Sequence, residues 1–302
     1  MQCLIERNGK MKLRHLPLMG LILTIVMFGG CRWQPDLLSD RIALFQSNTT
    51  QAPEYIEDTQ GNLIPNYEVN TAAYRADLFT QTGNGRMVYA DSSVIAYTGI
   101  DVSSHQGQIN WNAVKNDGIT FAFIRAGYRG YGADGKVLED ERFKENMLGA
   151  LAAGLQVGVY FFSQAITPEE AVEEASFVLS LVKDYRLSYP IVYDWERYSI
   201  ADSRTYETDS ATITACAEAF CERINRAGYR AMVYLNCELG YNEYDLEMLS
   251  GYDCWLAQYN DVPTYYYHFT IWQYTKSGQV NGIQGDVDLN ICLYDYASEA
   301  LG

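Results

Sequence analysis

The feature that most restricts the fold is a series of eight short apolar runs, at 99–103, 119–126, 155–162, 190–196, 230–236, 254–259, 270–274 and 287–291. Each is rich in Val, Ile, Phe, Tyr or Trp and bounded by Gly, Asp, Asn or Pro, the pattern of a β-strand. They are nearly continuous in apolar character rather than alternating, which predicts burial on both faces, as in a parallel sheet. Helical stretches fall between the early runs: 111–116, 139–153 ending at Gly154, 167–184, 209–227 closed by Gly228, and 244–250. The third opens on Thr167-Pro168-Glu169-Glu170, with a Thr N-cap, Pro in the first turn and Glu170 completing a capping box. Five strand–helix units followed by three bare strands make eight strands, expected to pair in parallel through right-handed crossovers. Eight such strands close naturally into a barrel, here one that is irregular in its last third. An open doubly wound sheet is the alternative. No Gly-rich phosphate loop follows a strand, which argues against a nucleotide site.

The chain ahead of residue 97 has a different character. Lys10, Lys12 and Arg14 precede an apolar run over 16–28 that ends in Gly29-Gly30-Cys31. The run is short for a membrane span and has the layout of a signal peptide. Small residues ahead of a Cys resemble a bacterial lipoprotein cleavage box, so residues 1–31 are expected to form a leader with Cys31 acylated. An uncleaved anchor and ordinary secretion are the alternatives, and Met11 is a second candidate start. Residues 32–96 are polar, with weak periodicity, and predict a mostly irregular stalk with a hairpin near 87–97. The remainder, 97–302, is the expected barrel domain.

Net charge is −16 over 302 residues. Residues 1–30 carry four basic residues (Arg7, Lys10, Lys12, Arg14) and one acid (Glu6), so without them the balance deepens to −19. Such a surface repels phosphate backbones, which argues against nucleic acid as a partner. It also gives no electrostatic attraction to anionic lipid, so attachment to a membrane would rest on the N-terminal lipid or anchor. Beyond Cys3 and Cys31 five Cys remain (Cys216, Cys221, Cys237, Cys254, Cys292). That odd number predicts buried small hydrophobes, with room for one disulfide. No metal-ligand spacing is present and no cofactor is expected; a monomer is.

In a parallel barrel, functional groups sit at the C-terminal ends of strands. Asp101 ends the first strand, Asp194-Trp195-Glu196 ends the fourth, and Asp288 lies on the last with Asp286 just before it. Asp194 and Glu196, two apart on a strand, share a face. Carboxylates forced together raise one another's pKa, and a raised carboxyl is a general acid near neutral pH. Glycosidic cleavage needs such a donor, plus negative charge beside the developing oxocarbenium ion. The plainer reading is structural: Asp194 or Glu196 paired with a buried Arg such as Arg125, and Asp101 a turn acid capping Ser103 or Ser104.

Gly99-Ile-Asp-Val-Ser-Ser-His-Gln-Gly107 with Ile109-Asn-Trp111 resembles the opening of the family 25 glycoside hydrolases, the Chalaropsis-type lysozymes. The likeness continues through Phe123-Ile-Arg-Ala-Gly-Tyr128, Gly158-Val-Tyr-Phe-Phe-Ser163, Pro190-Ile-Val-Tyr-Asp-Trp-Glu196, Trp255-Leu-Ala-Gln-Tyr259, Trp272-Gln-Tyr274 and Gly285-Asp-Val-Asp-Leu-Asn290, in order over about 97–296. It implies an irregular (β/α)5β3 TIM-like barrel and an N-acetylmuramidase, cleaving the β-1,4 bond between N-acetylmuramic acid and N-acetylglucosamine in peptidoglycan; the leader at 1–31 adds the expectation of an extracytoplasmic location. It marks Glu196 as the catalytic acid, Asp194 as its partner, and Asp101 and Asp288 as the acids of the first and last strands. It further marks Tyr160, Gln258 and Trp272 as groove residues, with Arg125 inside one of the shared motifs as a further substrate-binding candidate. A non-catalytic peptidoglycan-binding module, or a hydrolase of another N-acetylated glycan, would share much of this pattern.

Overall fold

The structure, a computed structural model, describes residues 54–197, 200 and 203–299. The expected leader at 1–31, its acylation site Cys31 and the first part of the expected stalk, 32–53, lie outside the described residues.

The described chain opens with two small hairpins. Strand β1 (Tyr55–Glu57) pairs antiparallel with β2 (Leu63–Pro65), and β3 (Phe79–Gln81) with β4 (Met87–Tyr89). This corrects the stalk reading for 54–96. Ile64, Phe79 and Met87 are buried in the main core, and Phe79 meets Trp272 edge to face at 5.2 Å. The Tyr67 hydroxyl donates to the carbonyls of Tyr241 (3.3 Å) and Tyr244 (3.0 Å), and the Tyr267 hydroxyl donates to the Pro65 carbonyl. Three-residue strands are too short to show a period, so each buried residue reads in the sequence as an isolated apolar among polar neighbours.

Nine strands follow: β5 (Tyr97–Val102), β6 (Phe121–Arg129), β7 (Val137–Glu139), β8 (Gln156–Ser163), β9 (Ile191–Trp195), β10 (Ala231–Asn236), β11 (Asp253–Ala257), β12 (Ile271–Gly278) and β13 (Val287–Cys292). All but β7 form a closed eight-stranded barrel in the order β5–β6–β8–β9–β10–β11–β12–β13, with β13 returning to β5. Helix α1 (Trp111–Asn116) follows β5, α2 (Phe143–Ala152) follows β7, α3 (Pro168–Val182) follows β8, α4 (Ser210–Arg226) follows β9, and the short α5 (Leu246–Leu249) follows β10. The fold is therefore mixed α/β around a barrel. The second helix starts later than expected because 137–139 pairs with β6 instead. At the start of α3 the Thr167 hydroxyl accepts from the Glu170 N–H, while the Glu170 carboxylate reaches one residue past the N-cap to the Ile166 N–H.

Strands β5 to β12 pair in parallel around the ring, but β13 is antiparallel to both neighbours, against the expected all-parallel pairing. The cause is the short link at 279–286: a parallel return needs a crossover of a dozen or more residues. The five described Cys are all unpaired, with Cys216, Cys221 and Cys292 buried.

Period-two alternation sorts the strands into two faces. Ile100, Ala122, Ile124, Val157, Tyr193 and Trp195 face outward and pack under the helices, while Phe121, Phe123, Val192, Met232 and Ile271 fill the barrel interior. Inside, Phe121 stacks on Tyr189 with centroids 4.6 Å apart, and Phe123 stacks on Trp255 at 4.7 Å. Glycines make room for these rings: a Cβ on Gly99 would lie 2.2 Å from the Phe121 ring, and one on Gly158 would lie 2.4 Å from the Phe123 ring. With Phe121 held against Tyr189, it cannot retreat cheaply. Gly99→Ala should therefore overpack the floor at a cost of about 1–3 kcal/mol. That corresponds to a loss of roughly 3–10 °C in the unfolding midpoint. A calorimetric midpoint equal to that of the parent chain would contradict this account of the floor.

Candidate active site

The inward face places four carboxyl groups at one rim of the barrel. Asp101 is near the end of β5, Asp194 near the end of β9, and Glu196 one residue beyond it on the same parity. Asp288 is the second residue of β13, and because β13 runs backwards its start lies beside the end of β5. In that ladder Asp288 is the register partner of Asp101. The four acids line a pocket of about 250 Å³, together with Tyr160, Tyr234, Trp255, Tyr259 and Gln273. Arg125, Phe162 and Lys276 complete the wall.

Their environments differ. Asp101 is buried, and its Oδ2 accepts from Gln273 Nε2 (2.9 Å) and Asn290 Nδ2 (2.8 Å). Asn290 is itself oriented by the Trp255 indole, which donates to its Oδ1 at 2.8 Å. Asp194 is equally buried, but its Oδ1 has no hydrogen-bond partner. Burial, then the charge of Asp288, pushes the Asp101 carboxyl well above the usual range, against the pull of the Asn290 and Gln273 amides. Burial, then Glu196 and Asp101, does the same to Asp194, with Arg125 opposing. Glu196 is raised by burial and by Asp288. Asp288 is pushed up to about 6 by burial, with its own backbone N–H and Lys276 holding it down. Four acids in one low-dielectric pocket disfavour one another's ionised forms, so the cluster holds protons more tightly than free carboxyls do. A pocket holding both a protonated and an ionised carboxyl can donate a proton at one atom and stabilise positive charge at another.

Asp101, Asp194, Glu196, Asp288, Tyr160 and Arg125 are thus brought together. The ion-pair reading of Arg125 is corrected: its guanidinium is engaged with Asp140 (2.7 Å) and Ser104 Oγ (3.2 Å), not with Asp194 or Glu196. Asp101 caps no turn; Asp140 takes the Ser104 N–H at 3.1 Å. Two groove candidates fall outside the pocket. Trp272 is fully buried on the outer face, its indole donating to the Gln258 carbonyl at 2.7 Å, and the Gln258 amide bonds Thr264 Oγ1 and Cys237 Sγ. Both lie one residue off the inward parity, whose members here are Gln273 and Tyr259. Those two, with Tyr234, Asn290 and Lys276, are not marked as site residues by the sequence. Counting in steps of two from the buried acids would have found Asn290 from Asp288.

The raised carboxyls set a direction for stability. The folded state binds protons more tightly than the unfolded chain, so this contribution is fully present below pH 4 and is lost as pH rises through the folded values, about 6 for Asp288. Asp288→Asn should therefore raise the unfolding midpoint at pH 7.5 by about 3–6 °C and leave it nearly unchanged at pH 4. A gain of equal size at both pH values would count against the charge cluster as its cause.

Comparison with known proteins gives a consistent picture. The model of the family described as Glycosyl hydrolases family 25 matches residues 100–283. Lysozyme M1 of Streptomyces globisporus is 25% identical over 276 residues, covering 88% of this chain and 89% of that protein. Among solved structures, the modular autolysin LytC from Streptococcus pneumoniae superposes with a TM-score of 0.59 at 26% identity, over 80% of this chain but only 57% of LytC. The bacterial lysozyme from Streptomyces coelicolor superposes at 0.53 with 25% identity, over 70% of this chain and 97% of its own. With its barrel, its rim of four acids and a family match across most of that barrel, this chain belongs to family 25 of the glycosyl hydrolases.

Proposed function

We propose that this chain is a peptidoglycan hydrolase of the muramidase type, cutting the β-1,4 bond between N-acetylmuramic acid and N-acetylglucosamine. The observation that carries this is the convergence of Asp101, Asp194, Glu196 and Asp288 on one pocket with Tyr and Trp walls. Aromatic faces suit sugar rings, and the acids supply proton donor and counter-charge. Lysozyme M1 and the pneumococcal autolysin, which was also solved with a synthetic peptidoglycan ligand, support the substrate class. The architecture is that of an irregular (β/α)5β3 barrel.

In this mechanism Glu196 protonates the leaving oxygen. Asp194 lines the same pocket beside Glu196 and is assigned to orient the N–H of the substrate's acetamido group. The acetamido oxygen then attacks the anomeric carbon as the glycosidic bond breaks, and water opens the cyclic intermediate with net retention. Asp101, fixed by two amides, supplies counter-charge. Asp288 helps Glu196 keep its proton until the bond is cut. Digestion of purified peptidoglycan followed by mass spectrometry tests the reading: fragments with reducing-end muramic acid are expected, and reducing-end glucosamine would overturn it. In the same assay Glu196→Gln should lower kcat/KM by roughly 10³-fold.

The chain is further proposed to act outside the cytoplasm as a monomer, held at the membrane by a lipid on Cys31 or by an uncleaved leader. Cys31→Ala should shift the protein from the membrane pellet to the soluble fraction. Its full retention in the pellet would rule out the lipid.

A further inference from the structure

Among the described residues, the carboxyl oxygens of Glu196 have no hydrogen-bond or ion-pair partner. Its aim therefore depends on its main chain, and that main chain is held from both sides. On one side, Gln164 in the turn after β8 is fully buried. Its Nε2 donates to the Glu196 carbonyl (2.7 Å) and to the Ser163 carbonyl (2.8 Å), and its Oε1 accepts from Thr205 Oγ1 (3.2 Å). A flipped amide would set its oxygen against two carbonyl oxygens, so the orientation is unique. The neighbouring Trp195, also fully buried, donates its indole N–H to the Ala165 carbonyl at 2.9 Å, a second tie between the ends of β8 and β9.

On the other side stands Arg197. Its Nη1 donates to the Thr205 and Tyr206 carbonyls, and its Nη2 to the Thr208 carbonyl, each at 2.9 Å. The remaining donors form a bidentate pair with Glu243, Nη2 at 2.9 Å and Nε at 3.2 Å. All five guanidinium N–H groups are used. The residue after Glu196 is thus bound to both the returning connection and the turn after β10. Thr205 closes the loop, since it touches both Gln164 and Arg197.

We propose that Gln164 and Arg197 are positioning residues for Glu196, fixing its main chain so that its carboxyl stays buried and aimed into the pocket. This rests on Glu196 as the proton donor. A displacement of about 1 Å at a catalytic group can cost about 100-fold in rate, and loosening either tie lets the carboxyl move toward water, which lowers its proton affinity. Lys cannot replace Arg197, because three donors on a flexible stem do not span three carbonyls and a carboxylate.

The test compares Gln164→Met and Arg197→Lys with the parent chain in three measurements: steady-state kinetics on soluble peptidoglycan fragments, thermal unfolding, and a carbon-13 titration of the Glu196 carboxyl, whose signal is identified by its loss in Glu196→Gln. Both variants are expected to fold, to lose about 10–100-fold in kcat with KM within about 2-fold, and to show a Glu196 midpoint lower by about half a pH unit or more. A lowered unfolding midpoint with kcat per folded molecule and the Glu196 titration unchanged would overturn the proposal, as would a loss confined to KM. If the parent chain does not cleave peptidoglycan, the muramidase reading fails by itself, while the titration still decides whether the two residues position Glu196.

Discussion

Asp288 lies directly across the β5–β13 ladder from Asp101, and like charges on opposed residues repel. This pair also closes the barrel, so the repulsion cannot be relieved by letting the strands part without opening the ring. Relief comes instead from a raised affinity for protons and from amides. Gln273 and Asn290 both donate to Asp101, and Asn290 is held in turn by the Trp255 indole. Along the inward face of β13 the order is Asp288, Asn290, Cys292: a charge at the rim, an amide beneath it, and an apolar floor. One short strand thus carries ring closure, the like-charge pair and its partial neutralisation.

That rim is braced from outside. In Trp272-Gln273-Tyr274 the middle residue points inward to Asp101, while its neighbours point outward to the hairpins ahead of the barrel. Phe79 lies edge-on against Trp272, and the Tyr274 hydroxyl accepts from the Met87 N–H at 3.3 Å. The segment 54–96 is therefore part of the wall that sets the position of Gln273. Loss of those hairpin contacts would reach Asp101 through a single strand, with no contact to the pocket itself.

Most of the barrel was legible because its strands are long enough to be apolar throughout and its two longest helices carry side-chain caps. Thr167 and Asp209 both accept at helix starts, as their sequence contexts indicate. The four acids were legible because carboxyl groups at the ends of apolar runs are costly to bury without purpose. Three things were hidden, each for a physical reason. The direction of β13 depends on the length of a link, not on the composition of the strand. The hairpins bury one residue at a time. The split between Trp272 and Gln273 is a matter of parity, and a one-residue step moves a side chain through the barrel wall.

The contrast between Asp194 and Asp101 follows from the same parity. Both are buried inward-facing acids with raised proton affinity, yet only Asp101 has amides waiting for it. An unpartnered carboxyl oxygen in a low-dielectric pocket costs stability that a folded chain could recover with one more donor. Asp194 Oδ1 is held without one, shut away from solvent in the wall of the pocket that it shares with Glu196. The raised proton affinity of Asp194 offsets part of that cost, since a neutral carboxyl loses less on burial than a carboxylate does.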